Sequence, residues 1–99
     1  MKYQLSIGAT SLLLQCLENS GWSESPKDVY QAGSLTVILD QHRPPTDVTK
    51  ETLCGQVEIE ITDGQFAVAQ KAVTHFCSKG AVPANNHAVY LIGVLKLSE

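Results

Sequence analysis

Residues 56–80 read QVEIEITDGQFAVAQKAVTHFCSKG and contain the two clearest structural signals in the chain. At the start of this stretch, Val57, Ile59 and Ile61 alternate with polar residues. An alternation with period 2 is typical of a strand that has one buried face. The pattern therefore predicts a strand over 56–61.

The second half of the stretch changes to helical spacing. Thr62 and Gln65 have the spacing of a helix-capping box, and Gly80 provides a stop signal. Between them, the residues that share one apolar helical stripe are Phe66, Ala69, Val73, Phe76 and Cys77. We therefore predict a helix over 63–79, with Cys77 in the core.

Upstream, similar patterns predict two more strands and two helices. Residues 2–7 alternate as a strand, and residues 11–20 have helical spacing that also places Cys16 in the apolar stripe. Ser25-Pro26 is a helix-start signal, and we predict a short helix that ends at Gly33. The run over 35–39 is rich in β-formers and predicts a strand.

The remaining segments are less regular, except for the last one. Two prolines make residues 40–45 irregular, and residues 47–54 are predicted to form one or two helical turns. Residues 88–97 are apolar on both faces, which predicts a long strand that is central in a sheet or meets a partner subunit.

The order of these elements predicts an α+β fold. We expect a four-stranded, largely antiparallel sheet with two main helices on one face, plus one or two short helical turns. This order resembles the split βαβ, or ferredoxin-like, arrangement. With 99 residues and 43% hydrophobic residues, the chain is too short for two ordinary domains and too apolar for a disordered chain. We predict a single domain over 1–99.

In this fold, the open face of the sheet is the leading candidate for a binding surface. It would combine Glu58 and Glu60 with apolar residues, represented by Ile38 and Tyr90. Exposed apolar strips often mark contact surfaces. The sequence therefore favours a small non-catalytic interaction protein that binds a protein partner or a second copy of itself as a homodimer.

The loop after residue 39 is a second candidate binding site. Asp40, His42 and Arg43 lie together there, and Arg43 is the only arginine in the chain. An arginine can hold a carboxylate or phosphate while a histidine transfers a proton. One alternative function is thus a small enzyme that uses this loop. Another is a small-molecule-sensing domain with its pocket near Gly8 or residues 40–47.

Composition argues against several other classes. The net charge of −3 and the scattered basic residues disfavour nucleic acid as a partner. No apolar run approaches the roughly 20 residues of a membrane span. Three cysteines, an odd number, favour a reducing compartment, so we expect a cytoplasmic protein. The spacing of Cys and His predicts no metal site, and no motif indicates a cofactor.

Overall fold

A two-stranded antiparallel sheet and four helices account for most of the residues that the computed structural model describes, which are 2–19, 25–42 and 54–97. In chain order, the elements are β1 (Lys2–Ser6), α1 (Ile7–Glu18), α2 (Pro26–Asp40), β2 (Gln56–Glu60), α3 (Asp63–Ser78) and α4 (Asn86–Val94). Helix α1 is central: it packs against α2, α3 and α4, and α4 also lies against β1.

The two strands form where their alternation predicts them. β1 and β2 pair in a register that places Tyr3 opposite Ile59 and Leu5 opposite Val57. These four side chains share the face that packs on the helices, where the Tyr3 and Phe66 rings stack with centroids 5.4 Å apart. The predictions of strands over 2–7 and 56–61 are confirmed.

Helix α3 also begins where its cap predicts. The Thr62 hydroxyl accepts a hydrogen bond from Gln65 N at 3.2 Å, and Gln65 Oε1 accepts one from Thr62 N at 2.9 Å. The buried side of this helix includes Val68, Ala69, Ala72 and Val73. The prediction that Cys77 lies in the core is wrong, because its side chain is exposed, whereas Cys16 is buried as predicted.

The predicted four-stranded fold is wrong. Within the described ranges, the sheet has two strands, and two of the predicted strands are helical. Residues 35–39 belong to α2, and residues 88–94 belong to α4. The helical turns predicted over 47–54 lie outside the described residues, apart from Cys54, which has helical backbone.

Helix α2 continues through residues 35–39 because helical spacing places its large apolar residues Leu35 and Leu39 in the core. Ser25 caps its start, as the sequence predicts, by accepting a hydrogen bond from Asp28 N at 3.2 Å. Ala32, Leu35 and Leu39 lie on one side of the helix and are buried. Gly33 is exposed, so it costs the helix only about 1 kcal/mol relative to alanine and does not end it.

Helix α4 forms for the same reason. Ala88, Leu91 and Leu95 recur at helical spacing and are buried, while Val89 between them is exposed. Asn85 caps the helix, because its Oδ1 accepts a hydrogen bond from Ala88 N at 2.9 Å. An apolar run of this length is compatible with either a strand or a buried helix, and packing against α1 and β1 selects the helix.

One hydrophobic core contains side chains from all six elements. The largest fully buried residues include Leu5 of β1, Leu13 and Leu14 of α1, Leu35 of α2 and Leu91 of α4. No helix in the described ranges is both long enough and apolar enough to cross a membrane.

Candidate functional site

The outer face of the sheet is hydrophilic. Glu58 and Glu60 are exposed on β2, as their alternation predicts, and they lie opposite Gln4 and Lys2 of β1. Lys2 Nζ lies 3.8 Å from a Glu58 carboxylate oxygen. The apolar strip predicted beside these acids does not lie on this face, because its residues belong to helices.

Ile38 and Tyr90 lie on different helices. Ile38 belongs to α2 and is half-buried against the core. Tyr90 belongs to α4, and its hydroxyl donates a hydrogen bond to the backbone oxygen of Gln4 at 2.8 Å. Tyr90 therefore contacts β1 at Gln4, the residue that lies opposite Glu58. Ile38 is not part of this contact.

The second predicted site is only partly described. Asp40 is exposed at the end of α2, and His42 follows half-buried, with its backbone N–H donated to Leu39 O at 3.0 Å. Arg43 lies outside the described residues. The structure therefore places Asp40 and His42 at the C-terminal end of α2.

The solvent face of α2 has an apolar character that the sequence patterns did not indicate. Val29, Tyr30 and Val37 are 58%, 74% and 63% exposed. They lie within about 100° of arc around the helix, with the exposed Gly33 between them. A methyl group built on Gly33 would meet no atom within 4 Å, so this part of the face is flat and open.

Charged residues are present only at the two ends of this face. Lys27 is exposed in the first turn of α2, and Asp40 is exposed at its last residue. The other charge in the helix, Asp28, points toward α3, where Lys71 Nζ lies 3.1 Å from its carboxylate. The exposed face of α2 thus has an uncharged centre and ends of opposite charge.

At the N-terminal end of α1, Ser6 and His87 lie in contact although they are 81 positions apart in sequence. The Ser6 hydroxyl caps α1 by accepting a hydrogen bond from Ala9 N at 3.0 Å. The same hydroxyl lies 3.0 Å from His87 Nδ1. This contact engages Nδ1 and leaves Nε2 as the imidazole nitrogen that Ser6 does not hold.

Gly8 allows the His87 ring to occupy this position. A Cβ atom on Gly8 would lie 2.5 Å from the imidazole Cγ, so any other residue would displace the ring. Beside this contact is an open cleft of about 190 Å³. Its apolar lining is Gly8, Leu12 and Pro83, and its polar lining is Ser11, Gln15, Asn85 and His87.

The Ser6–His87 pair does not have the arrangement of a nucleophile and its base. Ser6 is not among the residues that line the cleft, and its oxygen is already engaged as a helix cap. A catalytic hydroxyl must reach the reacting atom, which requires access to the substrate. We therefore interpret Ser6 as the residue that orients the His87 ring, which itself lines the cleft.

Sequence reasoning missed both the α2 face and the cleft. Val29, Gly33 and Val37 are four positions apart, a signal that ending the helix at Gly33 concealed. Gly8 was singled out as a position near a pocket, but no local pattern relates it to His87. The capping signal at Asn85, which starts the helix that carries His87, was available in the sequence.

Comparison with known proteins adds no further assignment. No protein-family model matches the chain, and no curated protein or solved structure is significantly similar to it.

Proposed function

We propose that this chain is a small non-catalytic interaction protein that self-associates through the exposed face of α2. The observation that carries the proposal is the uncharged apolar surface formed by Val29, Tyr30, Gly33 and Val37. Contiguous exposed apolar surface is uncommon on monomeric proteins and is typical of contact sites. This surface replaces the sheet face as the predicted site of self-association.

The distribution of charge on α2 favours a second copy in antiparallel orientation. In a two-fold arrangement centred between Gly33 and Ser34, Lys27 of one copy lies opposite Asp40 of the other. The same symmetry places Tyr30 opposite Val37. Both charge pairs are then attractive and lie at the rim, while the apolar residues meet at the centre, as in typical interfaces.

Gly33 lies close to the centre of this arrangement. Because it has no side chain and has open space around it, two helices can approach closely there. The Tyr30 ring, the most exposed of the large apolar side chains, would then pack over the backbone of the other helix. Aromatic residues at the centre of an interface contribute most of its binding energy.

The size of the surface limits its affinity. The three large apolar side chains belong to one helix, so the contact is smaller than the roughly 1,200–2,000 Å² of a stable interface. We therefore expect a reversible dimer with a dissociation constant of about 10–100 μM, typical of weak, transient contacts.

We also propose a cytoplasmic location for the protein, because an odd number of cysteines favours a reducing compartment.

Sedimentation velocity between about 5 and 500 μM tests self-association. We expect the wild type to shift from monomer to dimer across this range. Val37→Lys should weaken the dimer at least tenfold, because it places a charge at the apolar centre. Val89→Lys is the matched control: Val89 is 71% exposed on α4, and its substitution should leave association unchanged.

Charge reversal tests the antiparallel orientation separately. Lys27→Asp and Asp40→Lys should each weaken the dimer, and the double variant should restore it, since opposite charges then face each other again. A wild type that remains monomeric at 500 μM contradicts self-association. A dimer that both single reversals leave unchanged contradicts the antiparallel arrangement.

A further inference from the structure

We propose that the cleft beside His87 is a binding site for a small uncharged molecule that carries a carbonyl or carboxamide group on an apolar body. The cleft has a volume of about 190 Å³ and lies between α1 and the start of α4. It is independent of the proposed self-association, which uses the α2 face.

The described lining of the cleft offers no opposite charge to a charged ligand. Among the described residues that line it, none is an Asp, Glu, Lys or Arg. A charged group that entered the cleft would lose water without meeting an opposite charge, which is costly. Hydroxyl, amide and imidazole groups from Ser11, Gln15, Asn85 and His87 provide hydrogen bonds instead.

One of these groups is set as a donor by its other hydrogen bond, and a second is held in place. The Ser6 hydroxyl lies 3.0 Å from His87 Nδ1 and orients the ring, which leaves Nε2 for a ligand. Asn85 Oδ1 accepts from Ala88 N at 2.9 Å, which leaves the Nδ2 protons for a ligand. A donor-rich cleft recognises an acceptor, and an uncharged carbonyl oxygen is the acceptor that fits the absence of countercharge.

The rest of the cleft defines the body of the ligand. Leu12 and Pro83 provide apolar surface, and Gly8 lets the His87 ring pack directly against the α1 backbone. An apolar cavity of about 150 Å³ accommodates a benzene ring. The volume here therefore suits one ring or a branched chain together with a carboxamide, or about nine non-hydrogen atoms.

Three probes test the proposal: benzamide, benzoate and benzylammonium. Each has one benzene ring, and the attached group is neutral, negative or positive, respectively. Each is titrated into ¹⁵N-labelled wild-type protein at neutral pH. We expect benzamide to shift the amide resonances of Gly8, Ser11 and His87 with a dissociation constant of about millimolar order, as its size allows. Benzoate and benzylammonium should bind at least fivefold more weakly.

Variants locate the binding. His87→Phe keeps a ring in place but removes both nitrogens, and should weaken benzamide at least fivefold. His75→Phe, on α3, is the matched control and should bind as the wild type does. Val37→Lys should also bind normally, so that a failure of self-association does not affect this result.

Two results would overturn the proposal. One is a wild type in which benzamide leaves the resonances of Gly8, Ser11 and His87 unshifted. The other is binding of benzoate or benzylammonium as tightly as benzamide, which would show that the cleft does not select an uncharged acceptor. Both results come from the wild type, so they decide the question even if His87→Phe does not fold.

Discussion

At the scale of single residues, Cys16 differs from the other cysteines in its burial. Its side chain is 4% exposed in α1, whereas Cys54 and Cys77 are exposed. Burial, with a further contribution from Cys77, raises the pKa of the Cys16 thiol from 9.0 to about 11. The thiol is therefore protonated throughout the neutral range, and the folded protein retains this proton at a pH where the unfolded chain loses it.

This pKa predicts an alkaline loss of stability. Below pH 9, both states hold the Cys16 proton, so the stabilisation is fully present. Between pH 9 and 11 the unfolded chain loses the proton first, and the free energy of unfolding falls as pH rises, by at most about 3 kcal/mol from this group. Urea unfolding at pH 8, 9, 10 and 11 measures the decline.

Cys16→Ala is the control for this prediction. Lysines and tyrosines also titrate in this range, so the wild type is compared with a variant that lacks only the buried thiol. The variant should lose less stability between pH 9 and 11 than the wild type does. Parallel declines in the two proteins would show that Cys16 makes no contribution.

At the scale of elements, α3 and α4 end in the same way with different residues. After α3, Gly80 has a φ of +70°, and Gly80 N and Ala81 N donate hydrogen bonds to Cys77 O and Phe76 O. After α4, Lys96 has a φ of 59°, and Lys96 N and Leu97 N donate to Gly93 O and Ile92 O. Both ends are Schellman motifs, in which glycine is the favoured residue at the left-handed position.

The two Schellman motifs predict opposite changes in stability when Gly80 and Lys96 are each replaced by the other residue type. Lys96→Gly should stabilise the protein by about 0.5–1 kcal/mol, because it relieves the strain of a side chain in left-handed backbone. Gly80→Lys should destabilise it by about 1 kcal/mol, since it introduces that strain. Urea unfolding of the two variants measures both effects. Changes of the same sign would contradict the shared geometry.

The elements differ in how well the sequence predicts them. β1, β2 and α3 follow from local periodicity, because each has one buried and one polar side. α1 is a helix as predicted, but it spans Ile7–Glu18 instead of 11–20, and eight of its twelve residues are buried. The second half of α2 and all of α4 are predicted as β, because residues 35–39 are rich in β-formers and residues 88–97 are apolar on both faces, with Val37 and Val89 exposed in the structure. Apolar residues on a solvent face blur the helical period, and packing against α1 then decides the structure.

At the scale of the whole molecule, the two proposed binding surfaces depend on contacts that local sequence cannot indicate. The cleft exists because His87, near the end of the chain, packs on Gly8 near its start. The exposure of the α2 face follows from which side of that helix meets α1 and α3. The sequence predicts a contact surface on the sheet and a pocket near Gly8 or residues 40–47. The residues of the α2 face and of the cleft are brought together only by the tertiary arrangement.

The two ends of the described chain meet around β1. Tyr90 donates to the backbone oxygen of Gln4 at 2.8 Å, and His87 lies against Ser6. Helix α4 packs on α1 and β1, and Gln70 Nε2 of α3 donates a hydrogen bond to Leu95 O at the end of α4. Because α4 packs against fewer elements than α1, we expect it to open locally without global unfolding.

Amide hydrogen exchange tests this local opening. Tyr90→Phe removes the hydroxyl that donates to Gln4, a bond worth about 1 kcal/mol. Exchange of the amides of residues 90–94 should therefore accelerate about fivefold. The amides of Leu13 and Leu14 in α1 should keep their rates, since they exchange only when the core opens. Tyr30→Phe, on the exposed face of α2, should change neither set. Equal acceleration of α1 and α4 in Tyr90→Phe would mean that α4 opens only with the whole molecule, and that the chain ends are part of one cooperative unit.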